Sequence, residues 1–312
     1  MRSCAKRGRN RITIEYPQHP NLTSPSMMSP AQRNEVDRYL LSGDSDSWSA
    51  VWPGSSFVER ERQGNAALRG ALIAAVRERT SHVAASTLLE GIDLPTFART
   101  KLSPLVCGLF PSVERDVVLG VMESSIVFLT PATIAAVLES TPWLTTAWKL
   151  ANLYLASVDA ELLSDDAPRI LGLSEETTCY LSVEYFRTGN RFDDYVVHEA
   201  AHIFHNCKRA TVGLPETRYR EWLLNIDFAK RETFAYACEA YSRILELGAT
   251  RQARSSLLDE LEQEGMPPDE RVAGDEYVDI LREAIAARNG WKHIRERCSP
   301  AKRTHRHKTI AA

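Results

Sequence analysis

Asp194-Tyr195-Val196-Val197-His198-Glu199-Ala200-Ala201-His202-Ile203-Phe204-His205 is the stretch on which the reading of this 312-residue chain turns. Ala200 and Ala201 favour helix, and Val196, Val197, Ile203 and Phe204 supply an apolar face, so the spacing predicts a buried helix. Residues four apart on a helix lie one above the other, which puts His198 and His202 on one face. Two imidazoles so placed can bind one metal ion, and Glu199 between them can reach a water beside it. Two histidines and a carboxylate turned into a core with no such partner would be costly.

Working outward, Thr178-Cys179-Tyr180-Leu181-Ser182-Val183-Glu184-Tyr185-Phe186 is rich in strand formers. Thr188-Gly189-Asn190 then reads as a turn, with Asp193 or Asp194 as N-cap of the histidine helix. A second short strand is expected at 124–129. Upstream, Ser29-Pro30-Ala31-Gln32 carries the signature of a helix start, and that helix stops near Gly43. A long helix over 57–79 follows, then one or two short ones up to Leu109, punctuated by Pro104 and Pro111. Further helices are expected over 132–139, 142–163, 227–247 with Gly248 as C-cap, 253–264 and 276–288. The fold class is α+β and mostly helical, with two to four strands in a small sheet beside the histidine helix. The chain divides into a disordered basic tail (1–28), a helical N-terminal region (29–112), a metal-site domain (113–290) and a basic C-terminal tail (291–312).

Composition narrows the class. Apolar residues make up 44% and charged ones 25%, ordinary for a globular protein. The most apolar window, 117–138, is interrupted by Gly120, Glu123 and Pro131, so no membrane span is expected. No apolar run follows the basic N-terminus, which excludes a secretory signal there. Six scattered cysteines without a C-x-x-C pair argue against a disulfide framework and for a cytoplasmic protein. Residues 1–14 carry +5 and residues 291–312 carry +6, so the formal total of -3 leaves -14 for residues 15–290. Neither basic end has interleaved aromatics or a recognition helix, so nucleic acid is not the expected partner.

A catalytic zinc needs three protein ligands and one open position. The metzincin pattern requires a glycine at 205 and a third histidine at 208, where this chain has His205 and Lys208. Three successive histidines on one straight helix cannot converge on one ion, so His205 steadies a ligand, sits at the rim or is a surface histidine. The third ligand is then expected on a later helix. Arg231-Glu232-Thr233-Phe234-Ala235-Tyr236-Ala237-Cys238-Glu239 offers Glu232 and Glu239 two turns apart on one face, with small Ala235 between them.

With Glu232-x-Phe234-Ala235 downstream of His198-Glu199-x-x-His202, the chain resembles the gluzincin zinc metallopeptidases. The motif is similar to that of lethal-factor-like peptidases, Pro-Pro endopeptidases and ImmA-type peptidases, and the resemblance covers residues 178–247. It implies a zincin-like core and one Zn²⁺ per chain held by His198, His202 and Glu232. It also implies Glu199 as the general base in hydrolysis of a peptide or protein substrate. Some of these enzymes place a tyrosine shortly before the glutamate ligand; seven residues before Glu232 this chain has Asn225, leaving Tyr219, Tyr236 or His205 for that task. Glu239 is a candidate to orient a ligand histidine, Asp227 a weaker one, and residues 181–185 a candidate edge for an extended substrate. Two alternatives stand beside the peptidase: a non-catalytic zincin-fold regulatory or binding protein, and an interaction protein whose motif is accidental.

Overall fold

The computed structural model describes residues 28–84, 87–187, 190–218 and 220–300. Its centre is a small sheet of β1 (Ile126–Leu129), β2 (Gly172–Glu175) and β3 (Thr178–Ser182), in the order β1-β3-β2. β1 runs parallel to β3, with Ile126 opposite Cys179; β2 runs antiparallel to β3, with Gly172 opposite Leu181. Side chains alternate across a sheet, and here that alternation divides the hydrophobic core in two. Ile126, Phe128, Cys179 and Leu181 join one cluster, while Leu129 joins the other, with Val127, Tyr180 and Leu173 packed against it.

Helices cover both faces. On one lie α1 (Pro30–Ser42), α2 (Phe57–Arg79), α5 (Ile134–Ser140) and α6 (Leu144–Ser157). On the other lie α3 (Leu94–Leu109), α4 (Ser112–Ser125), α7 (Tyr195–Asn206), α8 (Arg231–Leu247), α9 (Arg251–Glu264), α10 (Gly274–Ala286) and α11 (Gly290–Cys298). The arrangement is α+β and mostly helical. Among the described residues no helix is long and apolar enough to cross a membrane, and Cys107, Cys179, Cys207, Cys238 and Cys298 are free thiols.

Several expectations need correction. The division at 112/113 does not follow the packing. α3 buries Ala98, Leu102, Leu105 and Val106 in the cluster that holds α7 and α8, whereas α5 and α6 pack against α2 across the sheet. Pro104 does not end α3; that buried face offsets the roughly 3 kcal/mol cost of an interior proline. Residues 290–298 are not tail but helix, with Trp291, Ile294 and Cys298 buried. The expected strand over 178–186 stops at Ser182, whose hydroxyl accepts the Glu184 N–H at 3.0 Å and turns Val183–Phe186 into a 3-10 helix. Its neighbour β2 and the helix α4 had no counterpart in the reading of the sequence. The start of α1 is as read: Ser29 and Gln32 form a reciprocal capping box. Residues 1–27 and 301–312, Thr188-Gly189 of the expected turn, and Tyr219 lie outside the described residues.

Candidate metal centre

The site is built from the first turn of α7. Asp194 is its N-cap, fully buried, with Oδ1 accepting the Val197 N–H at 3.4 Å. Lys101 of α3 reaches the same carboxylate at 2.7 Å. The Asp194 backbone N–H donates to Glu239 Oε1 on α8 at 2.7 Å, so the start of α7 is fastened to α8. Ala200, Ala201 and Ala235 are all fully buried, and small side chains allow the two helices to approach closely.

This approach brings His198, His202 and Glu232 together. His198 Nε2 and His202 Nε2 are 3.1 Å apart, and Glu232 Oε2 lies 3.9 Å from the first and 3.4 Å from the second. A tetrahedral ion with ligand bonds of about 2.1 Å separates its donors by roughly 3.4 Å. The three atoms therefore have the spread of one face of such a coordination shell, and the group can hold a metal ion. Among the described residues it is the one group of at least three His, Cys, Asp or Glu side chains so placed.

The hydrogen bonds behind the histidines leave both Nε2 atoms free for the ion. His198 Nδ1 lies 2.9 Å from Glu239 Oε2, which fixes the proton on Nδ1. The second chain starts at Arg231, which donates to Asn206 Oδ1 at 3.3 Å. That oxygen takes the His205 Nδ1–H at 3.1 Å, and His205 Nε2, left as acceptor, takes the His202 Nδ1–H at 3.0 Å. Burial, with His202 beside it, pushes His205 down to about 3, so the ring is neutral. His205 is thus neither ligand nor surface residue but the support of His202.

Electrostatics follow the same layout. Burial works to lower His198, but the carboxylates of Glu239, Glu199 and Glu232 together outweigh it and the ring is held above its ordinary value. Burial works to raise Glu232, and His202, with His198 and Arg271, outweighs it, leaving the carboxyl below its ordinary value. Glu232 Oε1, turned away from the histidines, meets Arg271 at 3.1 Å; Arg271 also binds Asp269 in the loop between α9 and α10. Burial raises Glu199 above the usual carboxylate range. Glu199 lies against β2, hydrogen-bonded to the Ser174 side chain and packed on Gly172.

These groups open into a cleft of about 670 Å³, with residues 168–174 as one wall and Pro268, Asp269 and Arg271 on another side. Tyr236, one turn beyond Glu232, lines the cleft, its ring centroid 4.5 Å from that of His198 in an edge-on contact. Burial, reinforced by Glu239 and Asp269, pushes its phenol up to about 12. Asn225 and Asp227 do not line the cleft; Asp227 instead accepts the Ala229 N–H at 3.0 Å. The edge strand beside the site is β2, not residues 181–185, because β3 is paired on both sides. Lys101, Asp269, Arg271, Gly172 and Ser174 left no mark in the sequence, since each gains its role from tertiary approach.

The chain matches no family model, no curated protein and no solved structure.

Proposed function

We propose that this protein is a zinc-dependent metallopeptidase with a zincin-like core and a gluzincin-type site. One zinc per chain is held by His198, His202 and Glu232, and Glu199 is the general base. The observation that carries the reading is a single one: two imidazole Nε2 atoms and a Glu232 oxygen converge in the cleft where Glu199 also opens. Zinc bound there supplies Lewis acidity toward a carbonyl oxygen and toward water.

The remaining work belongs to the chain. Glu199 accepts a proton from the attacking water and passes it to the departing amine. Its burial raises its proton affinity, which suits a group that must hold the proton between the two transfers. Tyr236, whose phenol keeps its hydrogen across the physiological range, donates to the substrate carbonyl oxygen as negative charge builds on it. Glu239 and His205 keep both ligand rings in one tautomer. The outer edge of β2 receives the substrate backbone as an added strand.

The test uses purified full-length protein. Wild type is expected to bind about one zinc, and His198→Ala or Glu232→Ala to lower that occupancy. Glu199→Gln is expected to keep the metal and lose hydrolysis of peptides that wild type cleaves. Absence of stoichiometric zinc from wild type would sink the reading. Stoichiometric zinc with no hydrolysis of any peptide would favour the alternative, a zincin-fold binding or regulatory protein.

A further inference from the structure

The charges lining the cleft are not evenly used. Each acid has a partner: Asp193 accepts the Tyr195 hydroxyl, Glu199 meets Ser174, Glu239 holds His198 and the Asp194 N–H, and Glu232 and Asp269 share Arg271. Three cations line the same cleft: Lys149, Arg169 and Arg271. Arg271 is committed. Lys149 on α6 and Arg169 ahead of β2 are exposed, and among the described residues neither has an ion-pair or hydrogen-bonding side-chain partner. Both line the cleft of a body whose residues 15–290 carry -14.

The position of these cations relative to the chemistry is set by the strand. Glu199 touches β2 at Gly172 and Ser174. The ladder continues upstream to Leu171, whose carbonyl accepts the Ser182 N–H at 3.0 Å. Arg169 lies three residues before Gly172, within ~11 Å of fully extended chain. Lys149 flanks the same wall, one turn along α6 from Thr146, whose hydroxyl is 3.3 Å from Glu175 of β2. A peptide laid along β2 with one bond beside Glu199 therefore carries a side chain past two unneutralised cations.

We propose that the cleft selects peptides bearing an Asp or Glu about two to four residues from the bond beside Glu199, and that Lys149 and Arg169 receive that carboxylate. This rests on the peptidase reading for the placement of the bond, but not for the binding itself. Both cations are exposed, so the attraction is modest and added salt weakens it.

The experiment measures binding and cleavage separately. Fluorescein-labelled decapeptides, each with one position varied among Asp, Ala and Lys, are titrated by anisotropy into zinc-loaded, full-length Glu199→Gln protein. The same peptides are incubated with wild type and cleavage is read by mass. The expected result is binding about fivefold tighter for Asp than for Ala at one or two positions, and weaker for Lys. The Asp preference should fall with salt, vanish in Lys149→Ala/Arg169→Ala and reverse in Lys149→Glu/Arg169→Glu. Zinc content and circular dichroism show that these exposed substitutions leave the fold intact. Cleavage without an Asp preference overturns the inference and leaves the peptidase reading standing. An Asp preference in binding that the Glu substitutions reverse, with no cleavage by wild type, sustains the inference and overturns the peptidase. An Asp preference unchanged in both double variants overturns the assignment to Lys149 and Arg169.

Discussion

A side chain added at Gly172 would put its Cβ 2.8 Å from both Cγ and Oε1 of Glu199. Real Cβ atoms do not come so close, so Gly172→Ala must displace the proposed base, while the three proposed metal ligands lie elsewhere. Gly172→Ala is expected to lower kcat by about tenfold or more with zinc stoichiometry unchanged, which parallel metal analysis and steady-state assays check. A variant that loses zinc together with activity would show that Gly172 supports the ligands instead. At this scale the sequence was readable where chemistry depends on spacing along one helix. His198 and His202 are four apart, and Glu232 and Glu239 are seven apart, so helical geometry alone fixes their faces. It did not decide between the two glutamates, which the resemblance settled in favour of Glu232; in the structure Glu232 faces the Nε2 atoms and Glu239 stands behind His198. Gly172, Ser174 and Arg271 were illegible because a residue brought in by the fold has no spacing to betray it.

The element that carries the site, α7, begins on a buried charge. Burial drives the Asp194 carboxyl up to about 6 from an ordinary 3.8, although Lys101 pulls it back down. Between those values the folded protein holds a proton that the unfolded chain releases. The contribution of Asp194 to stability is therefore fully present below about 3.8 and is lost as pH rises through about 6, beyond which it is constant. Asparagine can still cap the helix but does not titrate. The stability difference between wild type and Asp194→Asn, from urea unfolding, is expected to shift against wild type from pH 4.5 to about 6.5 and to be flat above. A difference that stays flat across the whole range would contradict the placement of that proton. The elements themselves were legible where caps and apolar periods agreed, as in α1, α2 and α7. They were illegible where burial overrode local preference: α3 runs through Pro104, and β2 is four residues with one large apolar side chain, held in place by pairing with β3.

Across the whole molecule, the loop after α7 is anchored by a buried ion pair. Arg209 is fully buried, and its Nη2 donates to Glu114 Oε1 on α4 at 2.7 Å, with Arg220 adding a bond at 3.2 Å. Removing one partner strands the other without compensation, so Glu114→Ala is expected to cost about 3–5 kcal/mol in urea unfolding. The paired replacement Glu114→Leu/Arg209→Met should cost much less. Equal losses in the single and paired variants would refute that account. A longer-range tie is made by α11. Its Trp291 fills the space over Gly108 of α3, where a Cβ would come within 2.3 Å of the indole, and stacks edge-on against Tyr241 of α8 at 4.8 Å. Asn289 and Arg295 add bonds to the carbonyls of Gly108 and Leu109, each at 3.0 Å. In order of synthesis, α3 leaves the ribosome well before the wedge that seats it against α8 exists. The bonds that hold this seam join residues 181 and 186 positions apart, so it cannot form until residues 289–295 have been made.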